Sequence, residues 1–555
     1  MAKSKGQTFM FGAVILMISN ITVKLIGALF KIPLQNYILG DEGMAYFQAA
    51  YDIYVSFYMI STAGIPVAIS RMIASSNAAG NEREVQKIFR ISYWAFFVIG
   101  IAATAIMMAI AKPYASFAKL DNAFYAMLAI APTLFFICLS SAYRGYFQGL
   151  QNMIPTGVSQ VIESLGKLSI GLIVGWVMLK RGYPIAHVAA FSISGVTIGV
   201  AAATLYIIVF KKMFAQSFKE AETPSMPVRS TKSLLYELII ISIPISLASS
   251  IMGLTSSLDA VLVVRRLTEG ATAGITDASL IAAANDIATT SYGAYAMPKT
   301  LFNMPTTLIY PFAISALPAL ATCFSAGDTK KAHTLMDSSF RVASIVAFPC
   351  ALGMSAMARP ILSLLYHEKA LSDTTTVTNL DVAAPCLAIL GLSVFFLGMI
   401  AVSNSVLQAY HQQNLTIVST VCGIIVKFIA SYILLGIPAV GLTGAAVGTA
   451  LCYAVIMLFN IFFIVKKVGY FPRIRTTFLK PFLAALICVI PCLGLYRLLY
   501  GHFSEKLLTL LAIGIAGVVY CAALLLLRGL NEEDIKMLPK SGTILRILKK
   551  AHLLG

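Results

Sequence analysis

Nine charged side chains stand within stretches of this chain that are otherwise apolar. Six are basic (Lys24, Lys31, Arg144, Lys167, Lys299 and Lys427) and three are acidic (Asp52, Glu163 and Asp259). A charge at the centre of a membrane-spanning helix costs on the order of 3 kcal/mol or more, so it normally faces a water-filled cavity or a partner. The excess of cations points to an anionic ligand. It disfavours a site for organic cations, which would be built from carboxylates and aromatic rings.

Individual residues divide further. Lys24 and Lys31 lie seven apart, two turns along one helix face. Both can meet phosphate oxygens as mobile point charges; for Lys31 the structural alternative is snorkelling to the interface. Arg144, in SAYRGYFQG, offers bidentate phosphate capture or a helix-end anchor. Lys299, in AMPKTLFNMP, stands in a proline-broken stretch and completes the candidate anion site. Glu163 and Lys167 are four apart and are expected to pair along their own helix. Lys427 has no such partner, because Gly423 stands where the glutamate would. Asp259, in TSSLDAVLVVRRL, suggests a Na+ or H+ site that drives transport, with Asn404, Gln408 and Thr420 as neutral oxygens for a hard cation. Hydrogen bonding between helices is an equally open reading of these polar groups. No other cofactor or metal is implied. Catalysis is not expected: the six histidines are scattered, and no HExxH, GxSxG or P-loop occurs. The nine cysteines form no CxxC pair and read as small apolar fillers.

The elements that position these groups follow from composition. The 555 residues are 59% hydrophobic and 12% charged, about half the charge fraction of a soluble domain. Runs long enough to cross a hydrocarbon layer recur from 9–36 to 508–527, about fourteen of them. The net charge of +18 sits mostly in loops, which argues against nucleic-acid binding. With a cytoplasmic N-terminus, 25 of the 41 Lys and Arg residues fall in cytoplasmic loops and termini and 10 in outer loops. The positive-inside rule then places both termini in the cytoplasm.

The second half repeats the first. A shift of 260 carries Gln148, Thr156, Val158, Ser159, Val161 and Lys167 onto Gln408, Thr416, Val418, Ser419, Val421 and Lys427. Upstream, IPVAIS at 65–70 matches YPFAIS at 310–315, each followed by a polar stretch, SSNAAGNEREVQKIFR and CFSAGDTKKAHTLMDSSFR. Parallel repeats of this kind mark secondary transporters. The expected fold is all-α and polytopic, with two six-helix lobes related by a pseudo-twofold axis and two further C-terminal helices. The ranges are an N-lobe at 1–210, a cytoplasmic linker at 211–233, a C-lobe at 234–466, two additional spans within 467–528, and a basic cytoplasmic tail at 529–555. Pro305, Pro311 and Pro318 are candidate pivots.

The basic first span VKLIGALFKIPL, with AGIPVAISRMIA, SAYRGYFQGLQNMIPT, SSLDAVLVVRRL and LFNMPTTLIYPFAISALPALA, resembles the MOP flippase superfamily over the whole chain. Within it the chain is most similar to MurJ-type lipid II flippases, including the stage V sporulation protein B group. The resemblance implies movement of undecaprenyl-pyrophosphate-linked disaccharide-pentapeptide across the cell membrane for peptidoglycan synthesis. The implied partners are lipid II or a related polyprenyl-pyrophosphate glycolipid, membrane lipids and the cell-wall synthesis machinery. It carries cavity arginines onto Lys24, Lys31 and the neighbourhood of Lys299, and a Na+ site onto Asp259, Asn404, Gln408 and the region of Thr420. FYMIST stands where a further cavity arginine would be, and Gln408 where a carboxylate would be. A flippase for capsule or O-antigen units is the alternative on the same fold, and a multidrug antiporter the more distant one.

Overall fold

The first helix, α1 (Lys5–Pro33), ends at a proline that supplies no N–H. Residues Leu34–Leu39 continue as a wider π-turn before Gly40, at φ +62°, resets the backbone. Helix α2 (Gly40–Ala78) starts with Asp41 and Glu42 against its positive end. Gly80 then takes φ +73°, and the Asn81 side chain accepts the Glu84 N–H to cap α3 (Glu82–Phe117). After α4 (Ala123–Ile130), Pro132 separates it from α5 (Thr133–Gly149). Two long helices follow, α6 (Ile154–Lys180) and α7 (Ile185–Ser217).

The second half opens with α8 (Thr231–Ala271) and α9 (Ala278–Phe302), joined by a turn in the stretch where the sequence loses its apolar character. A break at 303–305 precedes α10 (Thr306–Ser325), with Pro305 at its cap; Pro311 and Pro318 stay inside that helix. Then come α11 (Thr329–Ala356), α12 (Ala358–Leu365), α13 (Asn379–Ala409), α14 (Gln413–Leu435), α15 (Thr443–Val468), α16 (Lys480–Leu499) and α17 (Glu505–Leu526). The cap of α11 reproduces that of α3: Gly327 lies at φ +70° and Asp328 accepts the Lys331 N–H. The turn after α5 places Gln151 at φ +60°, and the turn after α13 places His411, 260 residues later, at φ +58°. Left-handed conformations at non-glycine residues are uncommon, so the repeat extends to backbone geometry.

This computed structural model describes residues 5–217, 227–372 and 375–529. Most of the basic tail 529–555 and residues 218–226 of the expected linker lie outside them. Among the described residues, ten helices are long and apolar enough to cross a membrane, against about fourteen runs expected from sequence. Large apolar side chains such as Ile173, Leu205, Leu458 and Phe462 are exposed on them, as suits a surface facing lipid.

Packing divides the chain into two compact units, Met1–Thr268 with Ile275–Gly293, and Glu269–Gly274 with Ala294–Gly555. In the first, α6 and α7 meet along glycines: an added Cβ on Gly199 would lie 2.6 Å from the Glu163 carbonyl oxygen, and one on Gly195 2.4 Å from the Gly171 nitrogen. In the second, α14 and α15 meet likewise, with Gly448 facing Ser431 and Gly423 facing Ile456. Small residues let helix backbones approach where no hydrophobic force drives them together.

Each unit also ties down a stretch of chain, the one after α7 in the first and the one after α15 in the second. In the first, Glu84 of α3 accepts the Arg229 backbone N–H at 3.1 Å and its guanidinium at 2.9 Å. Hydrogen bonding to Glu84 holds the Arg229 guanidinium above its ordinary pKa. In the second, Asp337 of α11 accepts the Arg473 N–H at 3.3 Å, its guanidinium at 3.4 Å and the Tyr470 hydroxyl at 2.7 Å.

Candidate ligand site

Helix α2 carries an aromatic row at helical spacing. Phe47, Tyr51, Tyr54 and Tyr58 follow one another with ring centroids 6.1, 5.9 and 5.8 Å apart. Basic groups from α1 and α6 lie against it. Lys31 donates to Gln48 Oε1 at 2.9 Å and stands 5.4 Å from the Tyr51 ring centre. Lys167 stands 4.5 Å from the same ring and 5.1 Å from that of Phe30. Lys24 is exposed and makes no hydrogen bond, ion pair or ring contact among the described residues.

Behind this face lies a buried polar knot centred on Asp52. Its Oδ1 accepts from Gln48 at 2.6 Å and its Oδ2 from the Tyr292 hydroxyl at 3.0 Å. Its backbone carbonyl accepts from Ser257 at 3.0 Å, and the Ser257 carbonyl accepts from the Tyr114 hydroxyl at 3.1 Å. The carboxylate joins α2 to α9, and the Asp52 carbonyl, Ser257 and Gln48 extend the network to α8, α3 and α1. Asp259 is buried in the same unit. Buried polar networks specify packing when their members are satisfied.

The expected pairing of Glu163 with Lys167 is corrected. Glu163 instead accepts from Arg144 at 3.1 Å, and Ser159 accepts from the Arg144 Nε at 3.0 Å. A planar guanidinium from α5 can bond both groups at once, which an ammonium one turn along the same helix cannot. Arg144 is buried.

The remaining predicted residues belong to the second unit. Lys299, half-buried near the end of α9, stands 5.8 Å from the Tyr295 ring, and its carbonyl accepts from Asn303 at the helix break. Asn404 of α13 accepts from the Asn460 amide at 2.8 Å, and that amide also donates to Ser403. The Asn460 Oδ1 is buried with no hydrogen-bond partner among the described residues. Thr420 is buried and donates to the Thr416 carbonyl at 2.7 Å, whereas Gln408 is exposed. Lys427 is buried, 3% exposed, rather than extended to an interface. A cavity of about 410 Å3 opens between α11, α16 and α17, with apolar walls that include Met354, Met357, Val489 and Ile513.

The polysaccharide biosynthesis protein family model matches residues 10–324, more than half of the chain. The chain belongs to that family. A second family model, MatE, matches residues 275–433. Stage V sporulation protein B of Bacillus subtilis (strain 168) is 23% identical over 543 residues, covering 97% of this chain and 99% of the relative. Lipid II flippase MurJ of the same organism is 23% identical over 534 residues, covering 92% and 93%. A solved structure of lipid II flippase MurJ in an inward closed conformation superposes with a TM-score of 0.62 at 15% identity, covering 92% of this chain and 98% of that one. The fold of this family member is thus the multi-helix membrane-transporter fold expected from the repeat.

Sequence reasoning passed over Tyr51, Gln48 and Tyr292 and gave Lys167 a structural role. The aromatic row was visible in YFQAAYDIYVSFY as rings spaced by four, three and four residues. Tyr292 gave no local signal, because its partner is 240 residues away.

Proposed function

We propose that this protein is a flippase that carries lipid II, the undecaprenyl-pyrophosphate-linked peptidoglycan precursor, from the inner to the outer leaflet by alternating access. The observation that carries this reading is the cation surplus on α1 and α6 beside the α2 aromatic face, with Lys24 unpartnered among the described residues. An anionic headgroup supplies the missing charge, and Lys24, Lys31, Arg144 and Lys299 are its proposed ligands. The relatives named for lipid II flipping and sporulation favour a polyprenyl-linked substrate. The polyprenyl tail stays in lipid, and the apolar cavity beside α16 and α17 is its proposed groove. Both termini are placed in the cytoplasm on the Lys and Arg bias.

Transport requires that the ligand bind the inward and outward states with different affinity. A Na+ or H+ ion at Asp259, with Asn404, Gln408 and Thr420, is the proposed coupling element. A second reading, a flippase for another polyprenyl-linked oligosaccharide, draws on the description of the matched family. Liposomes containing the purified protein and lipid II separate the two: lipid II should become accessible in the opposite leaflet, faster with a Na+ gradient. Intact translocation in the Lys24→Ala/Lys299→Ala double variant would remove the cavity assignment. Movement of a different lipid-linked glycan, with lipid II left in place, would select the second reading.

A further inference from the structure

One end of the second unit gathers charge of a single sign. The stretches 337–341 and 470–480 and residue 528 hold five cations, Arg341, Arg473, Arg475, Lys480 and Arg528, against one carboxylate, Asp337. That carboxylate is already shared, accepting from the Tyr470 hydroxyl at 2.7 Å and the Arg473 guanidinium at 3.4 Å. A π-turn, Arg475–Leu479, leads into α16. Just beyond it Lys480 donates to the Arg528 carbonyl at 2.8 Å, which closes the start of α16 on the end of α17. Arg475, Arg341 and Arg528 all act on the Lys480 charge, and all with the same sign. Arg341, on α11, is buried. Within the π-turn the Thr477 hydroxyl is fully buried and has no hydrogen-bond partner among the described residues. Wide turns of this kind are frequent at functional sites, and a buried polar group without a partner calls for one. Between the cations, Phe471, Ile474 and Leu479 are exposed.

We propose that Arg341, Arg475, Lys480 and Arg528, with the Thr477 hydroxyl, bind the phosphodiester headgroup of an anionic membrane lipid. This site is separate from the cations of α1 and α6 and does not depend on which substrate is carried. Cations and exposed apolar side chains alternate along 471–480, so a headgroup and its acyl chains are met together, which favours a lipid over a free anion. A cluster of this sign at helix ends is drawn to an anionic leaflet. Each guanidinium can take two phosphate oxygens, and Lys480 adds a mobile point charge. The positive end of α16 adds to the attraction. A bound headgroup ties together α11, α16 and α17, the helices that wall the apolar cavity.

The test uses the full-length protein in nanodiscs of phosphatidylcholine, alone or mixed with phosphatidylglycerol. Phosphatidylglycerol should raise the Tm and remain on the protein when native mass spectrometry strips the bulk lipid. Inorganic phosphate added to phosphatidylcholine discs at matched ionic strength should do neither. The Arg475→Gln/Lys480→Gln double variant should retain phosphatidylglycerol about tenfold less or weaker still. Each variant is read as the difference between the two disc compositions, so a general loss of stability cancels. Thr477→Val keeps shape and charge and should also weaken retention, with the Tm in phosphatidylcholine unchanged. Lys180→Gln/Arg181→Gln, which removes the same charge after α6 in the first unit, should retain the lipid as wild type does. An equal phosphatidylglycerol effect in wild type and the Arg475/Lys480 variant overturns the site. A full Tm rise from inorganic phosphate alone overturns the lipid assignment in favour of a free anion.

Discussion

Positions 260 residues apart put the same helices to different chemical use. In the first unit, Arg144 bonds Ser159 and Glu163, and Lys167 lies beside them on aromatic rings. The matched positions of α13 and α14 are Asn404, Ser419, Gly423 and Lys427. There Asn404 accepts from a neutral amide. Gly423 leaves so little room that an added Cβ would lie 2.5 Å from Ile456 Cγ1. Lys427 is buried. Turns and glycine seams recur in both units because backbone geometry allows few substitutes. The charges have diverged, since a side chain can change without moving the helices.

Copying the second unit into the first gives the largest expected effect. Arg144→Asn strips a partly buried carboxylate of its partner and should cost about 2 kcal/mol, less than for a fully buried pair because Glu163 keeps some exposure. Lipid translocation should be lost with it. Thermal unfolding in detergent and the liposome assay read the two effects. Adding Glu163→Gly should restore stability but not transport; transport restored in the double variant would show the charges to be dispensable.

The seams should differ in rigidity. Alanine at Gly199 meets a backbone oxygen and should cost about 2 kcal/mol, whereas alanine at Gly448 meets the Ser431 hydroxyl, which can rotate, and should cost less. Equal losses in thermal stability would contradict this. Tyr292→Phe removes one of the donors to Asp52 and should cost about 1–2 kcal/mol. Asn404→Ala should cost about 1 kcal/mol, because the Asn460 amide retains Ser403. A loss at Asn404 larger than at Tyr292, in the same unfolding measurement, would reverse the ranking of the two units.

Part of this was legible before any coordinates. The two matched polar stretches were legible as a repeat, and in the structure each holds a left-handed glycine followed by a side-chain cap, at Gly80–Asn81 and Gly327–Asp328. The proline-broken stretch around Lys299 was legible, and the structure breaks the helix before Thr306 with Pro305 at the cap. The Glu163 partner was misread, because the i, i+4 rule sees only one helix and Arg144 arrives from another. The Asp52 knot was invisible for the same reason.

What the chain determined by itself was local: where apolar runs begin and end, which turns need glycine or a capping oxygen, and which charged residues interrupt the apolar runs. These follow from bonding and hydration along a few consecutive residues. Which cation meets a carboxylate was decided only by tertiary structure. Neutralisation depends on which helix faces meet, and those faces belong to residues far apart in the chain.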